Sequence, residues 1–153
     1  VEWLPVYTET LGILCSHKNP LAQRSSVSVP ELRNENFIIN FNLYPKSILG
    51  RIFMDAGYAP RIICESCDNS LIGPMVADNL GIAFVDVNAS DAFRTRNASA
   101  PVSLIPFQEN ITRRIGIIRP KGKPSKLTPE SVEKAFKNYM FPSQTTDRSD
   151  PPQ

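Results

Sequence analysis

What most constrains this chain is the order in which its apolar patterns change period. A short β-branched or aliphatic run, a turn, and then a stretch with helical spacing recur along it. That alternation favours an α/β fold over a sandwich or a bundle. The runs are Leu11 to Cys15, Phe37 to Phe41, Arg61 to Glu65, Gly81 to Asp86, Val102 to Phe107 and Arg113 to Arg119. Between the second and third, Ile48, Leu49, Ile52, Phe53 and Ala56 share one helical face. Pro45 sits where a first turn tolerates proline, and Gly57 follows as a stop. Strand, helix and strand thus fit within about 30 residues, the size of a βαβ unit.

A second unit follows. Leu71, Ile72, Met75, Val76 and Leu80 repeat at helical spacing before Gly81 opens the next apolar run, and Asp68, Asn69 or Ser70 is the candidate cap. Pro74 conflicts with a regular helix, because an interior proline forfeits a hydrogen bond; the expectation is a late start or a kink. The last helix opens with Thr128 as cap, Pro129 at the first position and Glu130 near the positive end. Val132, Ala135, Phe136 and Tyr139 form its expected buried stripe. Residues 142–153 are polar and proline-bearing with nothing to bury, so a disordered tail is expected. Asn88 to Pro101 and Pro120 to Lys126 read as connectors.

Charge and cysteine usage narrow the function classes. The 153 residues carry a formal charge of +2 from 17 basic and 15 acidic side chains, with no basic run along a helix, so nucleic acid is not this segment's own partner. No apolar stretch reaches the roughly 18 to 20 residues that span a bilayer, and the amino terminus does not read as a signal peptide. Three cysteines, Cys15, Cys64 and Cys67, are too few for a secreted disulfide framework and fit a reducing compartment. N-x-S/T matches at Asn88, Asn97 and Asn110 are what such a composition produces by chance.

Read in order, several local patterns resemble the effector-binding domain of LysR-type transcription regulators. Leu11-Gly-Ile-Leu-Cys-Ser-His-Lys-Asn-Pro-Leu-Ala22 resembles the strand and loop carrying the family's His-Pro-Leu-Ala signature. Val27-Ser-Val-Pro-Glu-Leu32 with Asn36-Phe-Ile-Ile39, Ala56-Gly-Tyr-Ala-Pro-Arg-Ile-Ile63, Val76-Ala-Asp-Asn-Leu-Gly-Ile-Ala-Phe-Val85 and Arg113-Arg-Ile-Gly-Ile-Ile-Arg-Pro-Lys-Gly122 follow in the family's sequence and spacing. There are departures: Asn19 replaces the histidine before Pro-Leu-Ala, Asn79 replaces a turn glycine, and Asp86 stands where a proline usually ends the strand.

The resemblance implies a periplasmic-binding-protein type II-like (Rossmann-like) lobe, a mixed sheet flanked by helices. It implies that residues 1–120 form the second lobe of the sensing domain and 121–141 a return segment and helix belonging to the first. Val1-Glu-Trp-Leu-Pro-Val has no helix-turn-helix character, so the DNA-binding winged helix-turn-helix is expected to be absent here. The implied function is effector sensing in the cytoplasm, with a small molecule bound in an inter-lobe cleft. The sensing domains pair as a homodimer or tetramer, with Pro45 to Ala56 a contributor, and DNA is engaged only through the absent domain. A type II periplasmic solute-binding protein is the alternative; an upstream signal peptide would favour it, an upstream helix-turn-helix the regulator.

In an open α/β sheet, strand carboxyl ends and helix amino ends converge on a crevice suited to polar ligands. Two loops hold those positions here: Asn40, Phe41, Asn42, Leu43 and Tyr44 after the second strand, and Ser66, Cys67, Asp68 and Asn69 after the third. They offer amide and hydroxyl groups beside apolar and aromatic surface, although Asn and Ser also serve simply as turn formers after strands. Other chemistry lacks support. Cys64-Glu-Ser-Cys67 crosses a strand end and has no second pair to complete a zinc site. His17 is the single histidine, and Cys15 and Ser16 precede it too closely for a nucleophile and base. No glycine pattern cradles a nucleotide. The expectation is therefore no enzyme, no cofactor and no metal.

Overall fold

The structure, a computed structural model, describes residues 1–40, 48–66, 68–89, 100–122 and 128–140. Strand β1 (Glu2–Ser16) organises it. Its carboxyl-terminal half is paired on both sides: Leu11 to Leu14 run antiparallel to β4 (Ala83–Asp86), and Gly12 to Ser16 antiparallel to β5 (Val102–Pro106). Residues Leu11 to Ser16 are all buried, which is why this half reads as an unbroken apolar run. The amino-terminal half, Glu2 to Thr10, pairs among the described residues with β6 (Thr112–Arg119), making a two-stranded ribbon.

That ribbon extends the first strand well before the expected Leu11. Glu2, Thr8, Glu9 and Thr10 dilute the apolar pattern, and Pro5 argues against a regular strand. The register shifts between Pro5 and Tyr7, the kind of irregularity that accommodates a proline in a strand. Opposite charges face each other across the ribbon: Glu2 pairs with Arg119, and Glu9 with Arg113.

The expected βαβ unit is present. β2 (Asn36–Asn40) and β3 (Arg61–Ser66) run parallel with α1 (Ile48–Asp55) between them. A bridge between Phe37 and Ile82 attaches them to the β1-centred sheet: Ile38 N–H donates to the Ile82 carbonyl at 2.9 Å, and Ile82 N–H to the Asn36 carbonyl at 2.8 Å. The bridge is parallel, so β3, β2 and β4 point the same way, against β1. The result is a mixed sheet flanked by helices, as expected.

Side-chain alternation puts the helices on opposite faces. Phe37, Ile39, Ile13 and Ile105 pack with Leu49 and Phe53 of α1. Ile38, Leu14 and Ala83 pack with Val76 of α2 (Asn69–Ala77). On the α1 side the Phe37 ring meets Phe53 edge-on at 5.0 Å and stacks on Phe84 at 5.7 Å, and Phe84 meets Phe107 at 5.8 Å. These rings join β2, α1, β4 and the end of β5 in one core.

Both crossover helices end the same way. After α1, Gly57 N–H donates to Met54 and Tyr58 N–H to Phe53, with Gly57 at φ +70. After α2, Asn79 N–H donates to Val76 and Leu80 N–H to Met75, with Asn79 at φ +60. Each is a Schellman turn, and asparagine is a natural substitute for glycine at its left-handed position. Asp68 is the cap of α2, accepting from Ser70 N–H at 2.8 Å. Pro74 lies inside α2, whose helical bonding resumes beyond it with Asp78 N–H donating to the Pro74 carbonyl.

The last helix, α3 (Pro129–Met140), opens with a reciprocal pair: Ser131 N–H donates to Thr128 Oγ1, and Thr128 N–H to Ser131 Oγ. Its expected stripe is corrected in part. Val132 and Phe136 are half-buried, but Ala135 is exposed; among the described residues α3 leans on the ribbon, through Phe136 against Tyr7 at 5.3 Å. Pro45, residues 90–99 and 123–127 of the connectors, the Tyr139 side chain and the tail 142–153 lie outside the described residues.

Two outcomes test this packing. A Cβ on Gly12 would lie 2.5 Å from both the Ile105 carbonyl oxygen and Val87 Cγ1, whereas one on Gly57 meets nothing within 4 Å. Chemical denaturation should therefore show Gly12→Ala costing about 3 kcal/mol through overpacking, and Gly57→Ala about 1 kcal/mol through its backbone conformation alone; equal costs would contradict the packing. Burial, with Glu35 nearby, pushes the Cys15 thiol up to about 11. At about pH 8 roughly one such thiol in a thousand is ionised. Iodoacetamide with peptide mapping should leave Cys15 unmodified in the folded chain and alkylated in concentrated guanidinium; rapid labelling of the folded chain would refute its burial.

Candidate functional site

Because β3, β2 and β4 are parallel, their carboxyl ends, Ser66, Asn40 and Asp86, finish along one edge of the sheet. Asn40 and Ser66 are register partners, so two of the sequence-predicted residues sit side by side. Ser66 then turns the chain into α2: its Oγ accepts from Asp68 N–H at 3.0 Å and donates to the Asp68 carbonyl at 3.1 Å. Asp68 faces solvent, and hydrogen bonds from Ser70 hold its carboxyl below the usual carboxylate range. The negative charge already at the start of α2 is therefore the protein's own. Phe41, Asn42, Leu43, Tyr44 and Cys67 lie outside the described residues.

A third member of this edge was not among the expected site residues. The Asp86 carboxylate accepts from the Tyr7 hydroxyl at 2.6 Å, from Thr10 N–H at 3.1 Å and from Asn88 N–H at 3.0 Å. Its one signal in the sequence is its departure from the proline that resembling chains carry at that strand end. Tyr7 had none, lying where no period is visible. Burial, reinforced by the bond to Asp86, pushes the Tyr7 phenol far above its ordinary value. Close by in sequence, the Glu9 carboxylate accepts from Arg113 Nε at 2.6 Å, yet burial outweighs the guanidinium and raises its pKa.

Ser16 and His17, two of the residues considered for catalysis, are kept apart from this edge. β1 runs against β4, so Ser16 and His17 fall at the far end of the sheet. The Ser16 hydroxyl is fully buried, donating to the Ala77 carbonyl at 3.1 Å, while His17 is exposed. Cys64 is half-buried in β3 with Sγ 4.0 Å from Met75 Sδ. Among the described residues no three His, Cys, Asp or Glu side chains gather to hold a metal ion, and no helix is long and apolar enough to cross a membrane.

A groove of about 400 Å³ opens elsewhere, between α1 and residues 109–111. Val29, Ile48, Ile52 and Ile111 give it an apolar wall with Arg51 and Asp55 among its lining, and it shares none of the edge residues.

The comparisons with known proteins agree with this architecture. The LysR substrate binding domain family matches residues 1–134. YybE, an uncharacterized HTH-type transcriptional regulator of Bacillus subtilis (strain 168), is 28% identical over 143 residues, which cover 92% of this chain and 46% of that protein. The chain thus spans less than half of that relative's length. Two solved structures share the fold. The effector binding domain of QuiR in complex with shikimate has a TM-score of 0.67 at 21% identity, over 91% of this chain and 63% of that one. The Synechocystis PCC6803 CcmR regulatory domain in complex with 2-PG has a TM-score of 0.67 at 19% identity, over 95% of this chain and 67% of that one. With the family matched over most of its length and the fold to go with it, this chain belongs to the LysR substrate binding domain family.

Proposed function

We propose that the chain is the effector-sensing part of a LysR-type transcription regulator, binding a small molecule where β2 and β3 end. The observation that carries this is the pairing of Asn40 with Ser66 at the start of α2, in a chain of this family. Relatives with bound shikimate and 2-PG support a small-molecule effector. In this reading Asn40, Phe41, Asn42, Leu43, Tyr44, Ser66, Cys67 and Asp68 line one wall of a cleft. The opposite wall is a first lobe supplied largely by sequence beyond these 153 residues.

The ribbon fits that arrangement. Residues 1–120 form the second lobe, and 121–141 return to the first. A two-stranded ribbon is marginal by itself, and the apolar outer face made by Trp3, Pro5 and Ile118 suits a neighbouring lobe, Trp3 being 45% and Ile118 66% exposed. Assembly as a homodimer or tetramer, DNA contact through a separate helix-turn-helix, work in the cytoplasm and the absence of catalysis complete the proposal.

Energetics explain why both walls matter. A hydrogen bond contributes a net of about 1 kcal/mol, while moving a two-state equilibrium from 1:99 to 99:1 takes about 5.5 kcal/mol of differential affinity. Contacts to Asn40 and Ser66 made equally in the open and closed states shift nothing. Only those completed when both lobes close on the effector do.

In the full-length regulator carrying this chain, Ser66→Ala and Asn42→Ala should each weaken the effector response about tenfold in a reporter assay. Operator affinity, measured by gel shift without effector, should change by less than twofold. Normal effector responses in both variants would show that the site is placed wrongly.

A further inference from the structure

Asp86 ties together parts of the chain that otherwise separate. The ladder between β1 and β4 begins at Leu11 and Asp86, and before Leu11 β1 pairs, among the described residues, with β6. Yet the Asp86 carboxylate reaches back past that last pair. It accepts from the Tyr7 hydroxyl at 2.6 Å on one oxygen, and from the Thr10 and Asn88 amides on the other. The Asn88 side chain donates to Thr10 Oγ1 at 3.1 Å. The Tyr7 ring in turn rests on Phe136 of α3, with centroids 5.3 Å apart. An unbroken series of contacts therefore runs from the end of β4 through the ribbon to the last helix.

We propose that Asp86 is a positioning residue that sets the angle at which the ribbon and α3 leave the sheet, coupling the edge where β2, β3 and β4 end to the segment leading away from it. The chemistry suits this task. A carboxylate accepting from a phenol makes a short, charge-assisted hydrogen bond with a defined direction, and its second oxygen holds two backbone amides in fixed orientation. The bond is half-buried, so solvent competes for it less than at an open surface. A proline or any apolar residue at position 86 could offer Tyr7 no side-chain acceptor. Under the sensing proposal this tie would transmit a shift of the edge to α3, but the contacts themselves do not depend on that proposal.

Hydrogen exchange on the whole chain, without effector, tests the inference. In Tyr7→Phe, which keeps the ring on Phe136, ribbon amides of Leu4, Ile115 and Ile117 and the α3 amides of Val132 to Phe136 should exchange at least tenfold faster. Those of Leu14, Ile38, Ile39 and Ile82 in the sheet should change less than twofold. Asp86→Ala should show the same regional pattern, and adding Tyr7→Phe to it should accelerate the ribbon and α3 no further. Uniform acceleration across the sheet, unchanged exchange in the ribbon and α3, or additive effects in the double variant would each overturn the assignment. If Asp86→Ala does not fold, Tyr7→Phe decides alone. A misplaced effector site, revealed by a normal response in Ser66→Ala, would leave these exchange results untouched.

Discussion

Two backbone hydrogen bonds, from Ile38 to Ile82 and from Ile82 to Asn36, attach a parallel βαβ unit to a sheet built around β1. They need close approach, and Gly81 supplies it: a Cβ there would lie 2.7 Å from the Asn36 carbonyl oxygen. Once that approach is made, β4 must run beside β2 in the same sense. The ends of β2, β3 and β4 then share an edge, and Phe37 is held against Phe53 and Phe84. The polar edge and the aromatic core thus follow from one contact between strands more than forty residues apart in sequence.

The parts of this fold with a local signature were legible in the sequence. Ile48, Leu49, Ile52 and Phe53 of α1 share a face, Gly57 stops the helix, and the run from Phe37 reads as a strand because its period and length leave little else. Thr128 and Pro129 mark the start of α3 for similarly local reasons, and the capping bonds form between residues three apart. Of the ribbon, β6 was legible as the run from Arg113 to Arg119, but the stretch of β1 before Leu11 was not, since Glu2, Thr8, Glu9 and Thr10 dilute its pattern and a proline interrupts it. Neither was the exposure of Ala135, which depends on what α3 leans against and not on the helix's own period.

The candidate site divides along the same line. Asn40 and Ser66 were legible because a parallel βαβ unit brings its strand ends together whatever the side chains. The bond between Tyr7 and Asp86 was not, because a contact between residues 79 apart leaves no pattern that joins the two. What distinguishes this edge from a generic one is therefore carried by contacts that only the folded chain creates. Asp86 shows how: a single carboxylate there binds the body of the sheet to a ribbon that has little burial of its own.

The place of Trp3 gives that ribbon an optical property. It is the chain's single tryptophan, its indole lies over Gly116, and nearly half of its surface meets solvent. Intrinsic tryptophan emission from these 153 residues is thus a signal from the ribbon, with the sheet behind it spectroscopically silent at tryptophan wavelengths. A blue shift on assembly would report the covering of this one surface, without a dye or an engineered probe.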